Sequence, residues 1–260
     1  MRDRGKDLYL EERRQRIIRH VNDCGRASVV ELAEQLDVSE VTIRADLQAL
    51  AERNLIVRTH GGAVPAGRAI SELSLAIRGQ QQVGEKDRIG AAGAEMVSHG
   101  DAIILDSSST TLAIARRLKR HRDLTILTNS LVIAYEMLDA PGVMVVMPGG
   151  TVRRDTASLI VSNGVQMFGK FNIQKGFFGV HGLTVKEGLT DVSADEADVK
   201  RPFVAMCRQV IAVLDATKWG RVGLASFADL STVRCVITDA NAPADLVSQA
   251  RALGIQVVLV

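Results

Sequence analysis

The stretch from Ala27 to Asp46 reads Ala-Ser-Val-Val-Glu-Leu-Ala-Glu-Gln-Leu-Asp-Val-Ser-Glu-Val-Thr-Ile-Arg-Ala-Asp and leaves room for little except two short helices on a tight turn. Ser28 can cap the first by accepting a backbone N–H, and Glu31, three residues on, can reach back to the Ser28 amide in a capping box. Leu32 and Leu36 then share one face. The break at Asp37-Val38 is short, and Ser39 offers a second cap. Ile43, Leu47 and Leu50 follow at spacings of four and three, so they form one buried stripe. Thr42, Arg44, Ala45 and Gln48 are left facing outward.

Two helices in this order, the second polar on its outer side, form a helix-turn-helix. A helix of about eleven residues is ~16 Å long, and its first turns fit a DNA major groove, where short polar groups and an arginine meet base edges. Upstream, Glu11 to Asn22 carries Ile17, Ile18 and Val21 at helical spacing and is expected to pack beneath the pair. Downstream, Leu55 to Gly62 alternates and then turns on glycines, which predicts a hairpin, or wing. Thr42, Arg44 and Gln48 are the expected readers; Ser28, Ser39, Arg58 and His60 complete the expected DNA-contacting set. Capped amphipathic helices also occur in proteins that never touch DNA, and net charge does not separate the readings. Residues 1–62 hold eleven Lys+Arg and eleven Asp+Glu, a net of zero. Affinity must come from placement, with arginines at 13, 14, 16, 19, 44 and 58, and it must fall steeply with salt.

At 260 residues the chain is too long for a lone winged helix, so one further domain of ordinary size is expected. With 47% hydrophobic and 24% charged residues and a formal net charge of +2, the composition is globular. No run approaches the ~18 apolar residues of a spanning helix, and no signal-peptide core follows Met1 to Asp7. The expectation is a cytoplasmic protein without a membrane partner. Cys24, Cys207 and Cys235 are far apart and lack a histidine at metal spacing, so reduced thiols are expected, the latter two buried, with no metal and no cofactor.

The winged helix is placed at residues 1–62, a linker at 63–86, where Pro65, Gly67, Gly79 and Gly84 interrupt the hydrophobic period, and an α/β domain at 87–260. Ser71 to Ile77 is a short helical stretch within that linker. Strands are expected at Ala102–Leu105, Thr125–Leu127, Val143–Met147, Gly176–Val180, Val210–Leu214, Cys235–Thr238 and Gln256–Val260. Helices are expected at Thr110–Arg120, Ser130–Leu138, Asp195–Arg208 and Ala244–Ala252. This alternation predicts a largely parallel, helix-covered sheet, whose ligands bind beyond the carboxyl ends of the strands. Polar residues gather there. Asp106, Ser107, Ser108, Ser109, Thr110 and Thr111 run from a strand into a helix start, where hydroxyls and free N–H groups suit a phosphate, although a Ser/Thr run can equally be a plain cap. Asn129, the Gly149-Gly150 pair with Arg153, and His181 end further strands. Asp191, Glu196, Lys200, Asp215 and Lys218 add carboxylates and lysines suited to a small phosphorylated sugar or polyol.

The run Val38 to Leu47, with Thr42-Ile43-Arg44 and Asp46-Leu47, and the closing Arg58-Thr59-His60-Gly61-Gly62-Ala63 resemble the DeoR family of bacterial transcription regulators. The order of polar loops up to Asp239 resembles that family's sensor domain. The resemblance implies a ribose-5-phosphate-isomerase-like α/β effector domain that binds phosphorylated sugars or related metabolites. In it Asp106 to Thr111 is the phosphate-side loop, and Gly149, Gly150, Glu196, Lys200, Asp215 and Lys218 surround the effector. Three residues depart from the family pattern. Ala45 stands where many relatives carry a second basic residue. Ser108 stands for a frequent glycine and is expected to penalise a positive-φ turn. His181 stands for a frequent aspartate and replaces an acceptor with a group able to carry charge.

The expected function is a sequence-specific repressor of a sugar or polyol catabolic operon that binds double-stranded operator DNA as a homodimer or homotetramer and is released by a phosphorylated sugar. The competing reading is a sugar-phosphate isomerase with a DNA-binding appendage, in which Glu196 or Asp191 is the base and Lys218 the electrophile. A DNA coater without sequence preference is disfavoured by the near-neutral chain.

Overall fold

The computed structural model describes residues 4–52, 55–59, 61–65, 75–154, 156–160 and 168–260. The chain divides into two compact units, Met1–Leu73 and Ser74–Val260.

The first unit holds α1 (Arg4–Cys24), β1 (Ala27–Ser28), α2 (Val29–Leu36), α3 (Glu40–Glu52), β2 (Ile56–Thr59) and β3 (Gly62–Pro65). The capping box forms: Ser28 N donates to Glu31 Oε2 at 2.9 Å, and Glu31 N donates to Ser28 Oγ at 3.1 Å. Asp37 turns the chain between α2 and α3 in the left-handed region, φ 52°, which aspartate tolerates better than most residues. Ile17, Val21, Leu32, Ile43, Leu47, Leu50 and Ile56 are fully or almost fully buried together, as the spacing predicts. The hairpin of β2 and β3 gains a third strand: β1 pairs antiparallel with β3, Ala27 against Ala63 and Ser28 against Gly62. Any Cβ on Gly62 would fall 2.0 Å from the Ala27 carbonyl oxygen, so this pairing requires glycine there.

The second unit opens with α4 (Leu75–Gln80) and α5 (Val83–Glu95), which occupy part of the stretch expected as linker. Past that stretch α5 packs tightly on the next helix: a Cβ on Gly90 would meet the Ala113 backbone at 2.8 Å, whereas Gly79 and Gly84 have open space or only a side-chain tip nearby. There follow β4 (Ala102–Leu105), α6 (Ser109–Arg117), β5 (Leu124–Leu127), α7 (Leu131–Glu136), β6 (Val143–Val146), β7 (Thr151–Arg153) and β8 (Ser158–Ile160). The chain continues through β9 (Lys175–Gly179), β10 (Gly182–Thr184), β11 (Gly188–Asp191), α8 (Ala194–Met206), β12 (Gln209–Val213), β13 (Ala225–Ala228), β14 (Val233–Thr238), α9 (Ala244–Ala252) and β15 (Gln256–Leu259).

Seven strands form one parallel sheet in the order β15-β14-β12-β9-β4-β5-β6. Apolar clusters cover both faces, one around Phe178, Phe203 and Trp219, the other around Ile103, Ile126 and Phe177, which is why the strands read as continuous apolar runs. From β4 the chain steps outward through β5 to β6 and returns to place β9 on the other side of β4. The strand order therefore reverses between β4 and β9, the point beyond whose carboxyl ends sheets of this kind form their ligand crevice. A small antiparallel sheet, β10-β11-β13, and the hairpin β7-β8 complete the described elements. Among the described residues no helix is long and apolar enough to cross a membrane. Cys235 is buried as expected, Cys207 only partly, and Cys24 is exposed; burial pushes the Cys207 and Cys235 thiols up to about 12 and about 11.

Candidate DNA-reading and effector sites

On α3 the exposed side chains are those of Glu40, Val41, Arg44, Ala45 and Gln48. Ser39 Oγ accepts from Thr42 N at 3.2 Å and shares a 2.9 Å hydrogen bond with Thr42 Oγ1, so this hydroxyl pair closes the helix start. Arg44 Nη2 lies 2.6 Å from Glu40 Oε2, and Arg58 Nη1 of β2 donates to Gln48 Oε1 at 2.6 Å, tying wing strand to reading helix. Ser28 is committed to the start of α2. Its backbone and hydroxyl hydrogen bonds hold the Glu31 carboxyl below the usual range. Of the expected DNA-contacting residues, His60 lies outside the described residues.

Two arginines expected among the phosphate-facing cluster are turned inward. Arg13 Nε and Arg14 Nε lie 2.6 and 2.9 Å from the two oxygens of Asp46, which is 1% exposed. A buried carboxylate needs cationic partners, and α1 supplies them. Arg16 pairs with Glu12 on its own helix. Asp46 was readable only as a polar residue three positions after Ile43, on the inner stripe.

The effector candidate starts at Asp106, where β4 ends. Asp106 Oδ1 accepts from Ser108 N at 3.1 Å and Thr111 Oγ1 at 2.9 Å, and Oδ2 accepts from Gly179 N at 2.9 Å across the strand-order reversal. Ser108 Oγ caps α6 by accepting from Thr111 N at 3.2 Å. Its φ is −85°, so the expected positive-φ penalty does not arise: Ser108 is an ordinary extended N-cap. Thr111 Oγ1 also lies within 2.9 Å of the Asp106 and Ser108 carbonyl oxygens. Asp106, Ser108 and Thr111 thus build the loop; of the other three, Ser107 and Thr110 are buried and Ser109 is half-buried. The Ser107 hydroxyl donates to Glu196 Oε2 over a long 3.4 Å. No hydrogen bond among the described residues engages the side chains of Ser109 or Thr110, which open α6 where its dipole favours an anion.

Lys200 is sequestered below this loop. Its Nζ lies 2.7 Å from Asp106 Oδ2, 2.6 Å from Asp191 Oδ2 and 2.7 Å from the Gly179 carbonyl, and 4.9 Å from the Phe227 ring centroid. Burial opposes its charge, yet Asp106 and Asp191 outweigh burial and hold the ammonium above its usual range. The three charges expected around an effector form one knot joining β4, β9, β11 and α8. Glu196, in the first turn of α8, is raised by burial against the pull of Lys200. Arg153 Nη1 lies 3.7 Å from Glu196 Oε1 and donates to Ser193 Oγ, the α8 cap, at 3.2 Å.

Positive charge crowds the other side of the crevice. His181 is held below its usual value, first by burial and then by the Lys218 cation, so the charge its position suggested is suppressed. Lys218 is lowered by burial, with Asp215 pulling the other way and Arg221 and Arg78 adding to the depression. Asp215 itself caps the Ala216–Lys218 turn by accepting from Thr217 N at 3.0 Å. The sequence reading missed Arg78, Arg221, Ser193 and Lys86. Lys86 Nζ donates to the Gln81 carbonyl at 2.8 Å and to that of Arg78, at the end of α4, and burial pushes it down to about 8. It falls three residues before buried Ile89, the one signal that could have taken it out of the linker.

Asn129 is drawn elsewhere: its Nδ2 donates to the Leu159 carbonyl of β8 at 3.2 Å. Gly149 and Gly150 are exposed between β6 and β7, and no hydrogen bond among the described residues ties them to the Asp106–Thr111 loop.

Residues 13–67 match the family model described as the DeoR-like helix-turn-helix domain, and residues 81–240 match the DeoR C-terminal sensor domain. The HTH-type transcriptional regulator GolR of Listeria innocua is 34% identical over 89% of this chain and 91% of its own. The glycerol-3-phosphate regulon repressor of Escherichia coli K12 is 32% identical over 89% and 92%. The HTH-type transcriptional repressor GlcR of Bacillus subtilis is 31% identical over 89% of each. A D-ribose-5-phosphate isomerase solved with phospho-erythronic acid aligns over 52% of each chain at 11% identity and a TM-score of 0.40, too remote a likeness to bear on activity.

Proposed function

This chain belongs to the DeoR family, and from that premise we propose that it is a sequence-specific repressor of a sugar or polyol catabolic operon, released from operator DNA by a phosphorylated sugar. What carries the reading is the pairing, in one chain, of a capped reading helix with a crevice that offers a helix start on one side and Lys218, Arg221 and Arg78 on the other. An anion suits both sides: N–H groups of α6 receive it, and clustered cations repel one another less when it arrives. DNA is contacted through Arg44, Gln48 and Arg58, with Ser28 and Ser39 holding the helix starts and Thr42 beside them. The effector lies against Ser107, Ser109, Thr110, Glu196, His181 and Lys218. Residues 1–65 form the DNA-binding part, and the effector part begins near Leu75. The protein works in the cytoplasm as a homodimer or homotetramer, because paired reading helices double the phosphate contacts.

Turnover is not part of this reading. Asp191, one of the two carboxylates that could serve as base, is committed to Lys200, and Glu196 is engaged by Ser107 and Arg153. A coupled isomerase assay is expected to show none.

The test is fluorescence anisotropy of the full chain on DNA upstream of its own gene, at fixed salt, with a panel of phosphorylated sugars. Specific binding that is lost in Arg44→Ala and weakened by one phosphosugar supports the proposal. Specific binding that no phosphosugar changes removes the effector half of it.

A further inference from the structure

The first turn of α3 carries an apolar side chain where a groove-reading helix would be expected to be polar. Val41 is 74% exposed, more than any other large hydrophobic residue described in the first unit. Its exposure gains nothing in the free protein: valine is a middling helix former, and the core stripe of Ile43, Leu47 and Leu50 turns away from it. The neighbouring polar groups are already engaged. The Ser39 and Thr42 hydroxyls bond each other, and Glu40 holds Arg44. Four residues on, Ala45 extends the bare surface, exposed and without a polar group, so that Val41 and Ala45 make a short apolar strip along the outer face of the helix.

From this we propose that Val41 is a specificity-determining residue that reads a thymine by packing on its 5-methyl group in the major groove. The inference rests on the DNA-reading function proposed above. The chemistry is selective because thymine alone among the four bases carries a methyl on the major-groove edge, and an apolar side chain at the start of a recognition helix can bury it. Cytosine at that position offers only a C5–H where thymine has its methyl, and its N4 amino replaces the neighbouring O4, so Val41 loses the apolar contact. Arg44, when it leaves Glu40, reads beside it.

The test isolates one methyl group. Duplexes enriched by the full-length protein from a random pool are remade with each thymine in turn replaced by deoxyuridine, and affinity is measured for wild type and Val41→Ala. Burial of a single methyl corresponds to about a fourfold change in affinity. One substitution is expected to weaken wild-type binding by about that factor and to leave Val41→Ala unchanged. A deoxyuridine scan flat for the wild type, or equally steep for both proteins, overturns the inference while the DNA-reading function stands. If no sequence is enriched at all, both fall together. A thermal melt of Val41→Ala matching the wild type guards against misfolding, as expected for so exposed a side chain.

Discussion

Arg13 Nε stands 2.6 Å from Asp46 Oδ2, so the first helix of the DNA-binding unit grips the reading helix from beneath through a nearly dry ion pair. Arg14 grips the other oxygen. Removing Asp46 strands two half-buried guanidinium groups, whereas removing one arginine leaves the other in place. Asp46→Ala is expected to destabilise the first unit by about 3 kcal/mol, and Arg14→Ala by clearly less. Urea unfolding followed by a probe in residues 1–65 checks the order; equal losses would mean the carboxylate is not shared.

The glycine ending β9 is expected to be coupled to the serine capping α6. A Cβ on Gly179 would fall 2.4 Å from both Ser108 Cβ and Oγ, so Gly179→Ala must push the cap away. A cost of about 2 kcal/mol follows from such overpacking. In a Ser108→Gly background the obstacle is gone, and the same alanine should cost about 1 kcal/mol less. A double-mutant cycle on urea midpoints would show no coupling if the loop simply shifts.

Lys86 gives the fold an alkaline signature. With its folded value at about 8 and its usual value 10.5, the unfolded chain holds a proton between those limits that the folded chain has released. Stability from this group is therefore gained as pH rises through the window and lost as pH falls through about 8. Wild type should gain roughly 2 kcal/mol relative to Lys86→Met between pH 7.5 and 10. Parallel pH profiles for the two proteins would contradict this.

Glu196 acts in the acid range with the opposite sense. Burial raises its value above the usual 4.5, so the folded chain keeps the proton longer, and the contribution is complete at low pH and lost as pH climbs through the raised value. Glu196→Gln, which cannot ionise, should therefore gain stability on wild type as pH rises from 4 to 7. Calorimetric melts of both proteins across that range test the sign.

Local signals were legible in the sequence, and distant ones were not. The Ser28–Glu31 box, the Ile43–Leu47–Leu50 stripe and the strand Ala102–Leu105 follow from spacing within a few residues, and Ala244–Ala252 is a helix with the expected bounds. The strands β10, β11 and β13 are only three or four residues long and pair across loops, so no period of two develops. In the effector crevice the residue types were readable but their duties were not. Asp106 meets Gly179 across 73 residues of chain, and only that meeting reveals that Asp106 and Lys200 hold the crevice together from below. Lys86 was hidden by Gly79 and Gly84, which break the hydrophobic period just before it although α5 runs from Val83 to Glu95.

The loop between β4 and α6 is knotted before anything arrives. Asp106, Ser108 and Thr111 fix one another through bonds that no ligand group needs to supply. An anion docking on the amides of Ser109 and Thr110 therefore spends almost none of its binding free energy on conformational entropy. The same rigidity makes this loop a poor messenger, because a part that is identical with and without ligand has no differential affinity to report. Under the proposed function, the signal starts with the residues that an arriving charge would re-balance: His181, Lys218 and Glu196.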